Sequence, residues 1–280
     1  MFYQYTDINA VKSIIENNAI RLTNIRFLND KAEFFIGIKY LQQGFRFHNY
    51  YHSVSESCRQ ALQYHINDFL YSNSSKITEK IDNLYVASFS KRNDVLSQWR
   101  GYGMYSVEIN LKTLYESNVG QPLYLMDCSY YDDYGNDTTH YTANVIDTIV
   151  NGFTLNWQEN GDNSLLIQKL IELLCVYSLT YKHHSFTEEA ETRLIYMNDR
   201  NTRFVEFRSS NDMLVPYITL QFPPQAITKI TLGPVNDQLS AGSSLGTFIR
   251  QRCNIFNQQA GPDVNWHIAI NYSQSTLKSR

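Results

Sequence analysis

The periodicity of the chain changes near residue 191, and that change narrows the folds open to it. Thr192 to Met197, Phe204 to Phe207, Leu214 to Gln221 and Ile227 to Leu232 are short runs rich in β-branched and aromatic residues, with turn formers at Asn198-Asp199, Ser209 to Asn211 and Pro223-Pro224. Such runs predict strands. Ahead of them, Thr142 to Trp157 and Ser164 to Tyr181 carry apolar residues at helical spacing, divided by Asn160-Gly161-Asp162-Asn163. Helices gathered in one stretch and strands in another predict an α+β fold rather than repeated βαβ units.

The first half is more mixed. Phe2 to Thr6 reads as a strand, and Asp7 as the cap of a helix whose core positions are Val11, Ile14 and Ile15 and whose end is Asn17-Asn18. Ile20 to Thr23 follows as a second strand, then a polar loop from Asn24 to Asp30 that includes Asn29. Phe34 to Phe47 and Ser55 to Tyr71 are predicted helices, broken at His48 to His52, with a loop at Ser72 to Ser75. Leu84 to Phe89 is a strand, Lys91 to Asp94 a turn, and Asp94 is placed to cap a short helix running to Arg100. Ser106 to Ile109 and Leu123 to Tyr130 are strands, followed near the end by a helix from Leu239 to Arg252 and a strand from Val264 to Ile270. No linker interrupts the 280 residues, so one domain is expected over 1–280, with a helical insertion at 140–182.

Composition excludes some partners. Charged residues are 18% and the net charge is -3, so no overall basic field draws the chain to polyanions. Cys58, Cys128, Cys175 and Cys253 are too dispersed for a zinc knuckle or a disulfide framework, which suggests a reduced, cytoplasmic setting. No apolar run reaches 18 residues, so no membrane partner is expected. The acidic run Asp132, Asp133, Gly135, Asn136, Asp137 lacks the spacing of a calcium loop. His183 and His184 would point apart on an extended chain, and no metal is expected.

Two stretches carry chemistry. In Tyr85 to Gly103, Ser88 and Ser90 fall on one side of a strand with Phe89 on the other. Trp99, Arg100 and Tyr102 follow, interleaved with Gly101 and Gly103. In Phe186-Thr-Glu-Glu-Ala-Glu-Thr-Arg193, an extended backbone would put Glu189 and Glu191 on one face about 7 Å apart. A solvated acidic strand entry reads the same way. Paired carboxylates can also divide labour, one stabilising a positive sugar centre and the other preparing a nucleophile. At a cleft mouth they would add little to stability.

Three stretches, Tyr3-Gln-Tyr-Thr with Ile20 to Asp30, Ala87-Ser-Phe-Ser with Leu96-Ser-Gln-Trp-Arg-Gly-Tyr102, and Phe186-x-x-Glu-x-Glu-x-Arg193, resemble a bacterial family of formerly unknown function grouped with ADP-ribosyltransferase-like folds. Leu214 to Ile218 and Ile230 to Pro234 extend the likeness in the same order. The resemblance implies a split two-sheet fold with an NAD+ cleft and inserted helices. It implies that Glu191 stabilises the sugar cation left by departing nicotinamide, that Glu189 handles the acceptor, and that Ser88 fixes the Glu191 rotamer by a hydrogen bond. By the same likeness Gln4, Tyr5, Thr6, Ser90, Arg100 and Tyr102 line the NAD+ site, with Arg100 on the pyrophosphate and an aromatic from Tyr5, Phe27 or Tyr102 on the nicotinamide. The activity implied is mono-ADP-ribosyl transfer to a protein or nucleic-acid acceptor, as a toxin or antiphage effector, with an antitoxin or regulatory partner. NAD+ glycohydrolysis, in which water replaces the acceptor, is one alternative, and a noncatalytic nucleotide-binding or interaction module another; the latter fits Gln4 where relatives often carry His or Lys and Thr192 where Trp is common.

Overall fold

The computed structural model describes residues 1–28, 32–47, 54–71, 75–132, 139–199, 202–210, 212–261 and 264–275. In chain order the elements are β1 (Phe2–Thr6), α1 (Ile8–Asn17), β2 (Ala19–Asn24), α2 (Glu33–Phe47), α3 (Glu56–Leu70), α4 (Ser75–Asp82), β3 (Leu84–Ser90), α5 (Leu96–Tyr102), β4 (Tyr105–Ile109), α6 (Leu111–Glu116), β5 (Leu123–Asp127), β6 (Ser129–Tyr131), α7 (Thr139–Asn160), α8 (Ser164–Ser178), β7 (Tyr181–His183), β8 (Glu191–Met197), β9 (Glu206–Ser210), β10 (Met213–Gln221), β11 (Ile227–Leu232), α9 (Gln238–Ala260) and β12 (Ala269–Tyr272). The α+β class is as predicted. Asn29-Asp30, His48 to His52, Asp133 to Asp137 and Asn211 lie outside the described residues.

Ten of the twelve described strands form one sheet that branches at β3. One edge of β3 pairs with β8 along its whole length, Leu84 opposite Met197 and Ser90 opposite Glu191. The other edge is divided: β2 meets it at Tyr85 and Val86, and β1 only at Ser90. From this fork one arm runs β1, β4, β11, β12 and the other β2, β10, β9, while β5 lies beyond β8. All these pairings are antiparallel except β11 with β12. The expected pair of split sheets is not seen as such: ten of the described strands form one continuous sheet, and β6 and β7 a separate two-stranded one.

Strand alternation sends alternate residues to two cores. Leu84, Val86, Ile195 and Met197 pack under α2, α3, α7 and α8. Ala87, Phe89, Leu194 and Tyr196 pack on the other side with α1, α6 and α9. β8, paired on both edges and covered on both faces, is buried throughout, which explains why its sequence does not alternate.

Several local expectations need correction. Asp94 does not cap α5; Val95 holds that position. Asp94 has φ 56° and its carboxylate accepts from the Trp99 indole (2.9 Å), Ser273, the Gln274 amide (2.9 Å) and Ser275 (3.1 Å). Leu123 to Tyr130 is two strands, because the chain leaves the main sheet at Cys128 and pairs β6 with β7 in parallel. The second helix of the expected insertion stops at Ser178, and Tyr181 belongs to β7. Helices α4 and α6, which have no counterpart in the sequence reading, are only eight and six residues long, too short for helical periodicity to declare itself.

Close helix packing singles out Gly37 on α2, where an added Cβ would lie 1.9 Å from the Ser178 carbonyl oxygen at the end of α8. A Cβ on Gly152, inside α7, would meet nothing within 4 Å. Gly37→Ala is expected to lower stability by about 1–3 kcal/mol through overpacking. Gly152→Ala should raise it by up to about 1 kcal/mol through helix propensity. Urea unfolding midpoints of the two variants, compared with wild type, check the contrast.

Candidate functional site

At the fork, Ala87 to Phe89 pair with β8 but with neither β1 nor β2. Ser88 is therefore exposed in the middle of an otherwise buried strand. It borders a small cavity, about 40 Å³, whose wall also includes Tyr5, Ser90, Tyr102, Glu189 and Glu191. Six of the nine residues singled out from the sequence meet there.

The two glutamates do not arrive as an extended pair. Glu189 ends a 3-10 turn, His184–Glu189, and Ala190 adopts the left-handed region at φ 42° before Glu191 opens β8. Their carboxylates nevertheless converge, because one ammonium holds both. Lys182 Nζ lies 2.6 Å from Glu189 Oε2 and 2.5 Å from Glu191 Oε2. The remaining oxygens are also engaged: Glu189 Oε1 accepts from the Tyr102 hydroxyl (3.1 Å), and Glu191 Oε1 from Arg193 Nε (2.8 Å). The Glu191 amide donates to the Tyr130 hydroxyl (2.7 Å).

Arg193 extends this cluster into the helical layer. Its Nη1 donates to the Leu179 carbonyl (2.7 Å), and its Nη2 to Glu33 and to Glu191 Oε2 (3.2 Å). Lys182 is a further 3.8 Å from Glu33. Three carboxylates thus face two cations, a formal excess of one negative charge, and all five residues are buried. Burial alone pushes the Glu191 carboxyl up, but the Arg193 and Lys182 charges outweigh it and hold it at about 2. At Glu33 burial wins over the same two cations and the carboxyl titrates above its ordinary range. Burial opposes the Lys182 ammonium, yet Glu191 and the other carboxylates beside it raise its pKa. Burial, reinforced by Glu189, raises the Tyr102 phenol.

Other sequence-predicted residues are placed differently. Ser88 lies opposite Arg193 rather than Glu191, and the carboxylate of Glu191 is held by cations instead of by a serine. Ser90 accepts the Arg92 amide (3.0 Å) and shapes the turn after β3. Tyr5 is buried; its hydroxyl donates to the Arg92 carbonyl and accepts from the Val95 amide, and its ring meets Trp99 edge-on at 4.6 Å. Burial pushes its phenol up to about 12. Arg100 is exposed on α5 and borders no part of the cavity, because the buried Trp99 next to it takes the inward direction. Gln4 and Thr6 alternate with Tyr3 and Tyr5 along β1 and so line a separate cavity of about 350 Å³, shared with Arg21 and Arg208. The Gln4 Oε1 atom is buried there without a hydrogen-bond partner among the described residues.

Lys182 and Glu33 have no role in the sequence reading. Arg193 could be placed from sequence, since residues two apart on a strand share a face. Glu33 and Lys182 come from α2 and β7, and no spacing connects them to β8. Among the described residues no group of three or more His, Cys, Asp or Glu is arranged to hold a metal. No described helix is long and apolar enough to cross a membrane. Compared with models of protein families, with curated proteins and with solved structures, the chain matches none.

Glu191 is a buried member of an ion cluster, not a carboxylate at a solvated mouth, and this reverses the expectation that it adds little to stability. Glu191→Gln leaves Arg193 and Lys182 short of a charge and is expected to cost about 3–5 kcal/mol. Because the folded Glu191 pKa is lowered from 4.5 to about 2, its contribution is present above pH 4.5 and is lost as pH falls towards 2. Urea midpoints measured across that range should fall steeply for wild type and less steeply for Glu191→Gln.

Proposed function

We propose that the chain is an NAD+-consuming mono-ADP-ribosyltransferase whose reacting centre is the cavity at the fork of the sheet. The observation that carries this reading is the convergence of Ser88, Glu189 and Glu191, with Tyr102, on one cavity at the place where two arms of a sheet part from β3. That arrangement agrees with the split-sheet fold and the S-x-S and E-x-E elements implied by the sequence resemblance.

The chemistry follows from charge. Loss of nicotinamide leaves positive charge at C1′ of the ribose, and a fixed carboxylate lowers the barrier by facing it. Glu191 remains ionised because its pKa is held at about 2, and the cluster retains a formal negative excess. Glu189, which accepts from the Tyr102 hydroxyl rather than from Arg193, is the carboxylate that orients the acceptor in this reading. The cavity, about 40 Å³, is well below the size of a ligand-binding site. Admission of nicotinamide therefore requires α5 and the 184–189 turn to separate, and the Tyr102–Glu189 hydrogen bond joins them.

One observation favours a second reading, a noncatalytic module: Lys182 supplies internally the positive charge that the carboxylate pair would otherwise offer to a sugar cation.

Purified protein incubated with labelled NAD+, with and without cell lysate, distinguishes these. Transfer of label to protein or nucleic acid supports the proposal, whereas nicotinamide release without transfer identifies a glycohydrolase. NAD+ left intact with both present rejects catalysis. Ser88→Ala removes an exposed side chain outside the ion cluster, so its stability should stay within about 0.5 kcal/mol of wild type. Its NAD+ cleavage should fall up to about tenfold, the scale of one lost hydrogen bond. Unchanged cleavage in Ser88→Ala would remove Ser88 from the site.

A further inference from the structure

The arm of the sheet that runs through β2 and β10 ends at β9, which has no further strand beside it among the described residues. A free edge exposes unpaired backbone donors and acceptors, and natural edges are usually short, charged or covered. This one is short, but its surroundings are apolar: Phe204, Phe207 and Leu214 are 85, 59 and 65% exposed. Leu214 and Pro216 share the face of β10 that carries Ile218 and Leu220 into the core, and Phe207 sits opposite Pro216. The core on this face thus continues outward to an edge that the described helices leave uncovered.

The charges on β9 select its occupant. Glu206 and Arg208, one on each side of Phe207 in sequence, share the face of the strand opposite to it. We propose that the occupant is a second copy of this chain, its β9 added antiparallel across a twofold axis at Phe207 to continue the sheet through both subunits. In that register each Glu206 lies opposite Arg208 of the other copy, and the two Phe207 rings meet beside Leu214. A twofold at Glu206 or at Arg208 instead places like charges opposite each other, which disfavours those registers. Arg208 has no ion pair among the described residues, while Glu206 is held by Tyr217 (3.1 Å) and Thr219 (2.6 Å). Both contacts come from β10 and keep the Glu206 carboxylate on the face of β9 that Arg208 shares.

Analytical ultracentrifugation of the full chain tests this, with a dimer expected at concentrations up to about 100 μM. Arg208→Glu sets two carboxylates against each other and should give a monomer; adding Glu206→Arg to it restores opposite charges and should restore the dimer. Register is read separately with single cysteines. Phe207→Cys places both thiols at the axis, with Cβ atoms about 4.5–5.5 Å apart, and should form a disulfide-linked dimer under mild oxidation. Ser209→Cys thiols would be offset by about 13 Å along the strands and should not. A wild-type monomer throughout overturns the proposal and leaves the patch to a different chain. A dimer indifferent to Arg208→Glu, or one in which Ser209→Cys crosslinks and Phe207→Cys does not, overturns it as well.

Discussion

Arg193 is the side chain on which the two layers of this molecule depend for their alignment. It rises from the central strand β8, binds Glu191 on the same strand, caps a carbonyl at the end of α8 and reaches Glu33 at the start of α2. A buried guanidinium is tolerable only when its donors are met, and each of these partners is fixed to a different element. The apolar core under α2 and α8 is adaptable in its packing. The forked geometry of Arg193 is not, so it sets how the helices sit over the sheet.

The same cluster determines what the glutamate pair can do. An isolated buried carboxylate would take up a proton; Glu191 stays ionised because Arg193 and Lys182 are beside it. Charge is thereby stored in a water-poor place, where its field is stronger than at the surface. The field is also spent in part on Lys182, which occupies the pair from the side of β7. In the function proposed above, a sugar cation would compete with this ammonium for the same carboxylates.

Both notable surfaces arise from how the sheet ends or divides. Where β1 and β2 leave β3, a serine that a continuous sheet would bury is open to solvent. Where β9 ends the other arm, core-facing positions of β10 run out from under their helices. In each case the backbone has fewer neighbours than the apolar pattern around it would lead one to expect.

Much of this was legible in the amino-acid sequence. Strand and helix signals located β1, β2, β3, β10 and β11 and the long helices, because each records its burial locally, as apolar spacing or, in β3, as a short run of β-forming residues buried on both faces. Ser88, Ser90, Glu189 and Glu191 could be singled out because their side chains are displayed by short stretches of local backbone. Local reasoning failed where conformation depended on distant partners: Ala190 turns left-handed, and Leu123 to Tyr131 breaks to join β7. That Gln4 and Tyr5 part to opposite sides of β1 follows instead from strand alternation alone. Residue types and spacing determined which side chains were available for chemistry. Only the tertiary structure decided that Glu33 and Lys182 would stand among them, because the electrostatics of a buried site depends on proximity in space, which elements far apart in sequence acquire only when they pack.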